Sequence, residues 1–330
     1  MSWKVLITAR GVQSAGEQAL NLLRTAGCEI IFPPKFGPLK ADELTSALPG
    51  MDAVLASLDE YSAPLMPSSA AGKLKIIARW GVGYDSVDVA AATQSGIVVT
   101  YTPGLLDDAV ADYTFALLLS LARHTHEAQT AMQRGEWKPV WGDDVGGKTL
   151  GIIGLGRIGK AVARRAAGFG MRILAHTTHP SLESQGIEFV PLERLLTESD
   201  FVSLHAALTS STRGMIGESQ LRQMKRGAYL INTARGALVD EAALVQALRE
   251  NRIAGAALDV YSTEPLPAES ALRTAPNLLL IPHQSSYARG TGERVSLAAA
   301  QSIVDLMNGK KPQNVLNPDV FESPHFRTRW

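Results

Sequence analysis

A strand, three spaced glycines and a helix follow one another without interruption across residues 149–168. The apolar run Thr149 to Ile153 breaks into Gly154-x-Gly156-x-x-Gly159, and Lys160 to Ala167 then carries a helical pattern. In that order the glycines have separate duties. Gly154 permits a tight turn, Gly156 lets the backbone approach a pyrophosphate, and Gly159 lets the helix sit close on the strand. The first N–H groups of the helix, those of Arg157 and Ile158 among them, then face phosphates, with the helix dipole adding to the attraction. The glycine pattern alone occurs by chance in glycine-rich loops, but between a strand and a helix it predicts a dinucleotide site.

Such a fingerprint normally opens its folding unit, yet nearly half of the 330 residues precede it. A second folded unit is therefore expected ahead of it, in line with length priors of about 100–200 residues per domain. The 32 basic and 32 acidic side chains balance. That argues against a nucleic-acid or anionic-membrane partner, both of which need a basic excess. The single cysteine, Cys28, excludes an internal disulfide, fits a reducing compartment and, within Gly27 to Phe32, reads as a buried thiol. Met1 to Thr8 is a strand pattern without the cationic start of a signal peptide, and no apolar stretch approaches the ~20 residues of a membrane span. A cytoplasmic protein is expected.

Short apolar runs stand at Val5–Thr8, Glu29–Phe32, Ala53–Ala56, Leu74–Ala78 and Ile97–Thr100, with helical patterns such as Ala15–Ala26 and Ala41–Ala47 between them. Strands separated by helices of this length imply parallel βαβ units, so this part is a doubly wound α/β unit without a glycine fingerprint. Asp107 to His124 reads as one helix, apolar on nearly every side, and Gly292 to Met307 as a last long helix. Between them strands are expected at Met171–Ala175, Phe201–His205, Ala228–Asn232, Ala254–Val260 and Leu278–Ile281. Two α/β units joined by two long helices suggest a discontinuous first domain, formed by residues 1–102 and 290–330 around a dinucleotide-binding domain of residues 103–289. A sequential two-domain layout would show the same alternation.

Three segments after the fingerprint place polar residues where strands end: Asn232 to Gly236, Asp259 to Pro265, and Pro282 to Ser286. Ligands of open α/β sheets bind outside the carboxyl ends of the strands, so the three could meet at one crevice. Arg235, Glu264 and His283 are the groups that reduction of a 2-oxo acid requires. An arginine fork grips a carboxylate and polarises a carbonyl. A histidine supplies or accepts the proton as hydride moves, and a carboxylate orients the imidazole and favours its charged form. Taken singly, Arg235 could be a surface ion-pair partner, Glu264 a loop residue and His283 a core histidine.

The chain resembles the D-isomer-specific 2-hydroxyacid dehydrogenase family, which includes glyoxylate/hydroxypyruvate reductases and phosphoglycerate dehydrogenases. The match rests on Arg79-Trp80-Gly81-Val82-Gly83-Tyr84-Asp85, Thr102-Pro103-Gly104, Leu150 to Gly159, His205 to Thr209, Met224 to Asp240, Ala257 to Pro265 and Pro282-His283. The resemblance implies a Rossmann nucleotide-binding domain inserted in a flavodoxin-like substrate domain, a homodimer built partly on the helix near Asp107–His124, and no metal. It implies that Arg235 binds the substrate carboxylate and carbonyl, that His283 is the acid–base, and that Glu264 is its partner. The backbone N–H groups of Val82 and Gly83 would hold the carboxylate. Asp259 would contact the nicotinamide carboxamide, with Ala206, Ala207, Thr212, Thr233, Ala234 and Ser286 as further cofactor contacts.

The chain departs from the family at several places. Ala207 stands where proline is common, which loosens a turn, and Gln284-Ser285 followed by Tyr287 replaces smaller residues beside His283. These, with Leu58–Tyr61 and Trp80, leave the 2-oxo acid open. Asp107 stands where threonine or asparagine is commoner. A formate dehydrogenase would carry glutamine at Glu264, and a nicotinamide-sensing corepressor would share the fold. In NAD enzymes an acidic residue about 20 positions past the fingerprint holds the adenosine ribose. Here the second strand ends in His176-Thr177-Thr178-His179-Pro180, without a carboxylate. Thr177 and Thr178 can donate to a 2′-phosphate, so NADP(H) is favoured, with NAD(H) possible.

Overall fold

β-Branched and alanine-rich runs too apolar to face water build the first sheet. In the computed structural model, which describes residues 2–180 and 186–328, the chain opens as β1 (Lys4–Ile7), α1 (Arg10–Ala15), α2 (Glu17–Thr25), β2 (Glu29–Ile31), α3 (Ala41–Ala47), β3 (Ala53–Ala56), β4 (Ile76–Arg79), α4 (Val89–Gln94) and β5 (Val98–Thr100). All pairings are parallel and the order is β2-β1-β3-β4-β5, the flavodoxin-like arrangement. Strands β3 and β4 are buried along their whole length, as a sheet covered on both faces requires. One face packs Leu6, Val54, Ile77 and Val99 against Leu44 and Leu48. The helix expected over Ala15–Ala26 is α2, and a further short helix, α1, precedes it. The chain bends at Gly16, where a β-carbon would lie 2.4 Å from the Val12 carbonyl oxygen.

The second unit follows as α5 (Asp107–Arg123), α6 (Thr125–Gln133), β6 (Thr149–Ile153), α7 (Arg157–Gly168), β7 (Arg172–His176), β8 (Ile187–Phe189), α8 (Leu192–Glu198), β9 (Phe201–Leu204), α9 (Glu218–Gln223), β10 (Tyr229–Asn232), α10 (Glu241–Arg249), β11 (Gly255–Leu258) and β12 (Leu278–Leu280). Its seven strands run in the order β12-β11-β10-β9-β6-β7-β8, all parallel. Counted from β6, this is the Rossmann order with one strand added beyond it. Helices α5 and α7 cover one face through Phe115, Leu118, Val162 and Ala166, and α8 to α10 cover the other through Leu195, Leu221, Leu244 and Leu248. The edge strand β8, half exposed, had no clear sequence signal. Helix α5 is less uniformly apolar than its sequence suggests. Asp108 and Asp112 form an exposed edge paired with Arg164 and Arg165 of α7. It stops at Arg123 because His124 turns left-handed, φ 49°.

The chain then returns to the first unit as α11 (Arg289–Met307), which packs on α1, α2 and β4. The compact units are Met1–Leu106 with Tyr287–Trp330, and Asp107–Ser286. Tyr287 falls in the first unit, where its ring lies 5.7 Å from that of Trp80. Among the described residues no helix is long and apolar enough to cross a membrane.

Candidate active site

Strand register sets the site. In the second sheet the pairs His176–Ile153, Ile153–Leu204, Leu204–Asn232, Asn232–Leu258 and Leu258–Leu280 bring the last residues of six parallel strands into one row. The residues that follow are Thr177, Gly154, His205, Thr233, Asp259 and Ile281, so the sequence-predicted segments leave the sheet along a single edge.

At the centre of that edge the three glycines divide their work. Gly154 has φ +93°, and a β-carbon on it would lie 2.6 Å from the Ala206 nitrogen. A β-carbon on Gly159 would lie 2.2 Å from the Gly154 carbonyl oxygen, so the helix touches the strand end there. Gly156 differs: a β-carbon there would meet nothing within 4 Å. The protein itself leaves that space open, and Gly156 begins α7 without any side-chain cap. An uncapped helix start behind an open glycine fits a pyrophosphate, with Arg157, Ile158 and Gly159 supplying the first amides.

The neighbouring loops are held by their own polar groups. Beyond β7 the Thr177 hydroxyl accepts from the His179 N–H at 3.3 Å, and the exposed Thr178 hydroxyl lies 2.9 Å from His179 Nδ1. Of the expected cofactor residues beyond β9, Ala206 closes on Gly154 and Ala207 gives its carbonyl to Thr212 Oγ1 at 2.7 Å. Thr212 also accepts from the Thr209 N–H at 2.8 Å, so two threonines hold the turn that Ala207 in place of proline was expected to loosen. At the end of β9, His205 meets the Ser203 hydroxyl at 2.8 Å through Nε2, and burial of its ring pushes its pKa down to about 3. Beyond β10, the Asn232 side chain bridges the loop. Its Oδ1 accepts from the Ala234 N–H at 3.0 Å and its Nδ2 donates to the Arg235 carbonyl at 2.8 Å. Thr233 meets Thr114 of α5 at 3.0 Å, and half-buried Arg235 gives one N–H to the Ala234 carbonyl at 2.7 Å.

His283 and Glu264, expected from the sequence to be the acid–base and its partner, are in direct contact. His283 Nδ1 lies 2.7 Å from Glu264 Oε2, and the other oxygen, Oε1, accepts the Tyr261 N–H at 3.0 Å. The carboxylate is thus fixed from one side by backbone and fixes the imidazole from the other. His283 sits at φ +51°, a strained conformation for a residue with a β-carbon. Fully buried Asp259 holds the turn beyond it, accepting from the Gln284 N–H at 2.7 Å and the Ser285 N–H at 2.9 Å. Burial pushes its carboxyl above the usual range against the pull of those N–H groups. Ser286 follows, half-buried.

Sequence reasoning missed three supports of this turn. The Tyr261 hydroxyl donates toward the Ile281 carbonyl at 2.8 Å, and burial pushes its pKa up to about 12. Gln284 Nε2 donates to the Tyr113 hydroxyl at 2.7 Å. A β-carbon on Gly236 would lie 1.9 Å from the Tyr261 carbonyl carbon, so the Arg235 and Glu264 loops pack directly on one another. The Asp-Val-Tyr run before Glu264 carried a signal for the first; the other two have none in a single sequence. Asp107, at the start of α5, has a buried Oδ1 without a hydrogen-bond partner among the described residues, and burial raises its carboxyl against the pull of Arg157.

In the first unit the loop after β4 carries Val82 and Gly83, both half-buried, and among the described residues neither N–H donates to another group. Among the described residues no cluster of three or more His, Cys, Asp or Glu side chains is placed to hold a metal ion.

Comparison with known proteins matches this architecture. Residues 115–285 fit the family model described as D-isomer specific 2-hydroxyacid dehydrogenase, NAD binding domain. A glyoxylate reductase of Korarchaeum cryptofilum is 50% identical over 260 residues, 76% of this chain and 78% of that protein. A crystal structure from Thermus thermophilus superposes with a TM-score of 0.86 at 41% identity, covering 95% of this chain and 99% of the other. An NADPH-dependent glyoxylate/hydroxypyruvate reductase of Sinorhizobium meliloti, solved with NADP and malonate, gives 0.83 at 31% identity over 100% and 99%. The chain belongs to the D-isomer-specific 2-hydroxyacid dehydrogenase family, oxidoreductases that use a nicotinamide cofactor to interconvert small 2-hydroxy and 2-oxo acids.

Proposed function

We propose that the chain reduces glyoxylate, or a 2-oxo acid of similar size, to the hydroxy acid, with His283 as the proton donor. The observation that carries this reading is the 2.7 Å contact between His283 and Glu264. The carboxylate engages Nδ1 and leaves Nε2 as the atom that gives its proton to the carbonyl oxygen. When bound, the nicotinamide supplies the hydride in reduction and takes it in oxidation. Arg235 grips the substrate carboxylate and polarises the carbonyl, and in the first unit the amides of Val82 and Gly83 are the groups that would receive a carboxylate. As the C–O bond changes from carbonyl to hydroxyl, the imidazolium becomes neutral imidazole and is recharged from solvent. In the reverse direction the neutral imidazole takes the hydroxyl proton. Glyoxylate is the substrate named for the Korarchaeum relative, and malonate accompanies NADP in the Sinorhizobium structure.

NADP(H) is the preferred cofactor on this reading, with NAD(H) the alternative. The Thr177 and Thr178 hydroxyls have hydrogens to give to a 2′-phosphate, and no carboxylate stands among Thr177 to Pro180 to repel it. Gly154, Gly156, Arg157, Ile158 and Gly159 hold the pyrophosphate. Ala206, Ala207, Thr212, Thr233, Ala234 and Ser286 line the dinucleotide, and Asp259, besides holding the His283 turn, faces the carboxamide. A homodimer in the cytoplasm, where nicotinamide reductant is supplied, completes the proposal. The test is kcat/KM for a panel of 2-oxo acids with each reduced cofactor. Glyoxylate with NADPH is expected to lead, and Thr177→Asp to move preference toward NADH. A strong wild-type preference for NADH would refute the cofactor assignment, and the absence of turnover with every 2-oxo acid would refute the reaction.

A further inference from the structure

In the loop after β4, peptide groups are tied to the fold up to Gly81 and then abruptly are not. The Trp80 N–H donates to the Ala56 carbonyl at 2.7 Å. The Gly81 N–H donates to Thr102 Oγ1 at 2.9 Å, and its carbonyl accepts from the Thr102 N–H at 3.0 Å. The Trp80 carbonyl accepts from Arg79 Nη1 at 2.6 Å. The next two amides, of Val82 and Gly83, donate to nothing among the described residues. Two consecutive N–H groups without partners among the described residues, on an anchored loop, are available to an anion.

Arg79 is the unusual member. It is the last residue of β4 and only 3% exposed, although a buried cation is expensive. Gly81 is left-handed, φ +134°, and a β-carbon on it would lie 3.2 Å from Arg79 Nη1. The guanidinium therefore lies against the α-carbon of the residue just before the open amides. Asp59 and Arg79 act with opposite sign on the buried Tyr61 phenol, so this carboxylate shares the same interior. Asp59 is itself held by the Thr8 hydroxyl and by the N–H groups of Ser57 and Leu39.

We propose that Arg79 is a positioning residue for the anionic substrate. Its guanidinium fixes the Trp80 carbonyl and sets a permanent positive charge beside the amides of Val82 and Gly83, so that the loop is shaped and charged for a carboxylate. This rests on the reading that those two amides receive the substrate carboxylate. A fixed charge in a poorly solvated site acts more strongly than one in water and needs no reorganisation when the anion arrives. If Arg79 served only to balance Asp59, its replacement would lower stability and leave anion affinity alone.

The experiment titrates oxamate, a non-reducible 2-oxo acid analogue, into full-length enzyme saturated with reduced cofactor, beside steady-state kinetics. Arg79→Gln is expected to weaken oxamate and raise the substrate KM by about tenfold or more, with kcat within about threefold and cofactor affinity unchanged. Arg79→Lys, which keeps the charge and loses the planar fork, should recover part of the loss. Should the glutamine variant not fold, the lysine variant is read instead, with oxamate about threefold weaker as the expected result and wild-type affinity as the overturning one. Val82→Pro, which deletes one amide donor, separates the premise. Loss of oxamate binding in Val82→Pro with wild-type binding in Arg79→Gln would overturn the role of Arg79 and leave the loop as the carboxylate site. Wild-type binding in both would overturn the loop itself, and the proposal with it.

Discussion

His205 shows how one residue can be set by burial rather than by chemistry. An ordinary histidine titrates near pH 6.5, whereas burial of its ring pushes the His205 pKa down to about 3. The sign of the consequence follows from linkage. Below pH 6.5 the unfolded chain takes up a proton at this position that the folded chain refuses, so stability is fully present above that pH and falls as the pH drops toward 3. Urea unfolding should therefore give a difference between wild type and His205→Gln that shrinks by about 1 kcal/mol between pH 7 and 5.5. A difference that does not vary with pH would show that His205 ionises freely in the folded protein. At this scale the sequence was only partly readable. Glu264 and His283 were recognisable because both follow strands in polar loops, and the fold places them 2.7 Å apart. Arg79 was not, since nothing in a single sequence distinguishes a buried arginine from an exposed one.

At the scale of elements, the strand–glycine–helix unit gives the sharpest discrimination. Its three glycines look alike in sequence but not in space. A β-carbon at Gly159 would meet the Gly154 carbonyl oxygen at 2.2 Å, while one at Gly156 would meet nothing within 4 Å. Gly159→Ala should therefore cost stability by about 1–3 kcal/mol, the range of an overpacked core. Gly156→Ala should unfold like wild type and bind the dinucleotide more weakly by about tenfold or more, because its methyl group enters the space left for pyrophosphate. Thermal unfolding paired with cofactor titration checks both; wild-type cofactor affinity in a stable Gly156→Ala would remove the pyrophosphate from that position. Alternation of apolar runs revealed most strands for the same reason, since a sheet buried on both faces needs continuous apolar stretches. It missed α1 ahead of Gly16, α6 beyond the left-handed His124, and β8, whose edge position leaves Glu188 and Phe189 exposed.

For the whole molecule, the chain leaves its first unit at Leu106, builds the dinucleotide unit, and returns at Tyr287 to complete the first with α11. The proposed chemistry draws on residues from Val82 to His283, so turnover belongs to the intact chain and is measured there. The most direct test follows the loss of reduced cofactor with glyoxylate in single turnovers of full-length wild type, His283→Asn and Glu264→Gln. General acid catalysis contributes about 10²–10⁴-fold, so His283→Asn should slow turnover by that factor while binding the cofactor normally. Glu264→Gln should leave an intermediate rate, because the imidazole keeps a hydrogen-bond partner at 2.7 Å but loses the carboxylate that orients it. Turnover by His283→Asn within about tenfold of wild type would contradict the assignment of the proton to His283.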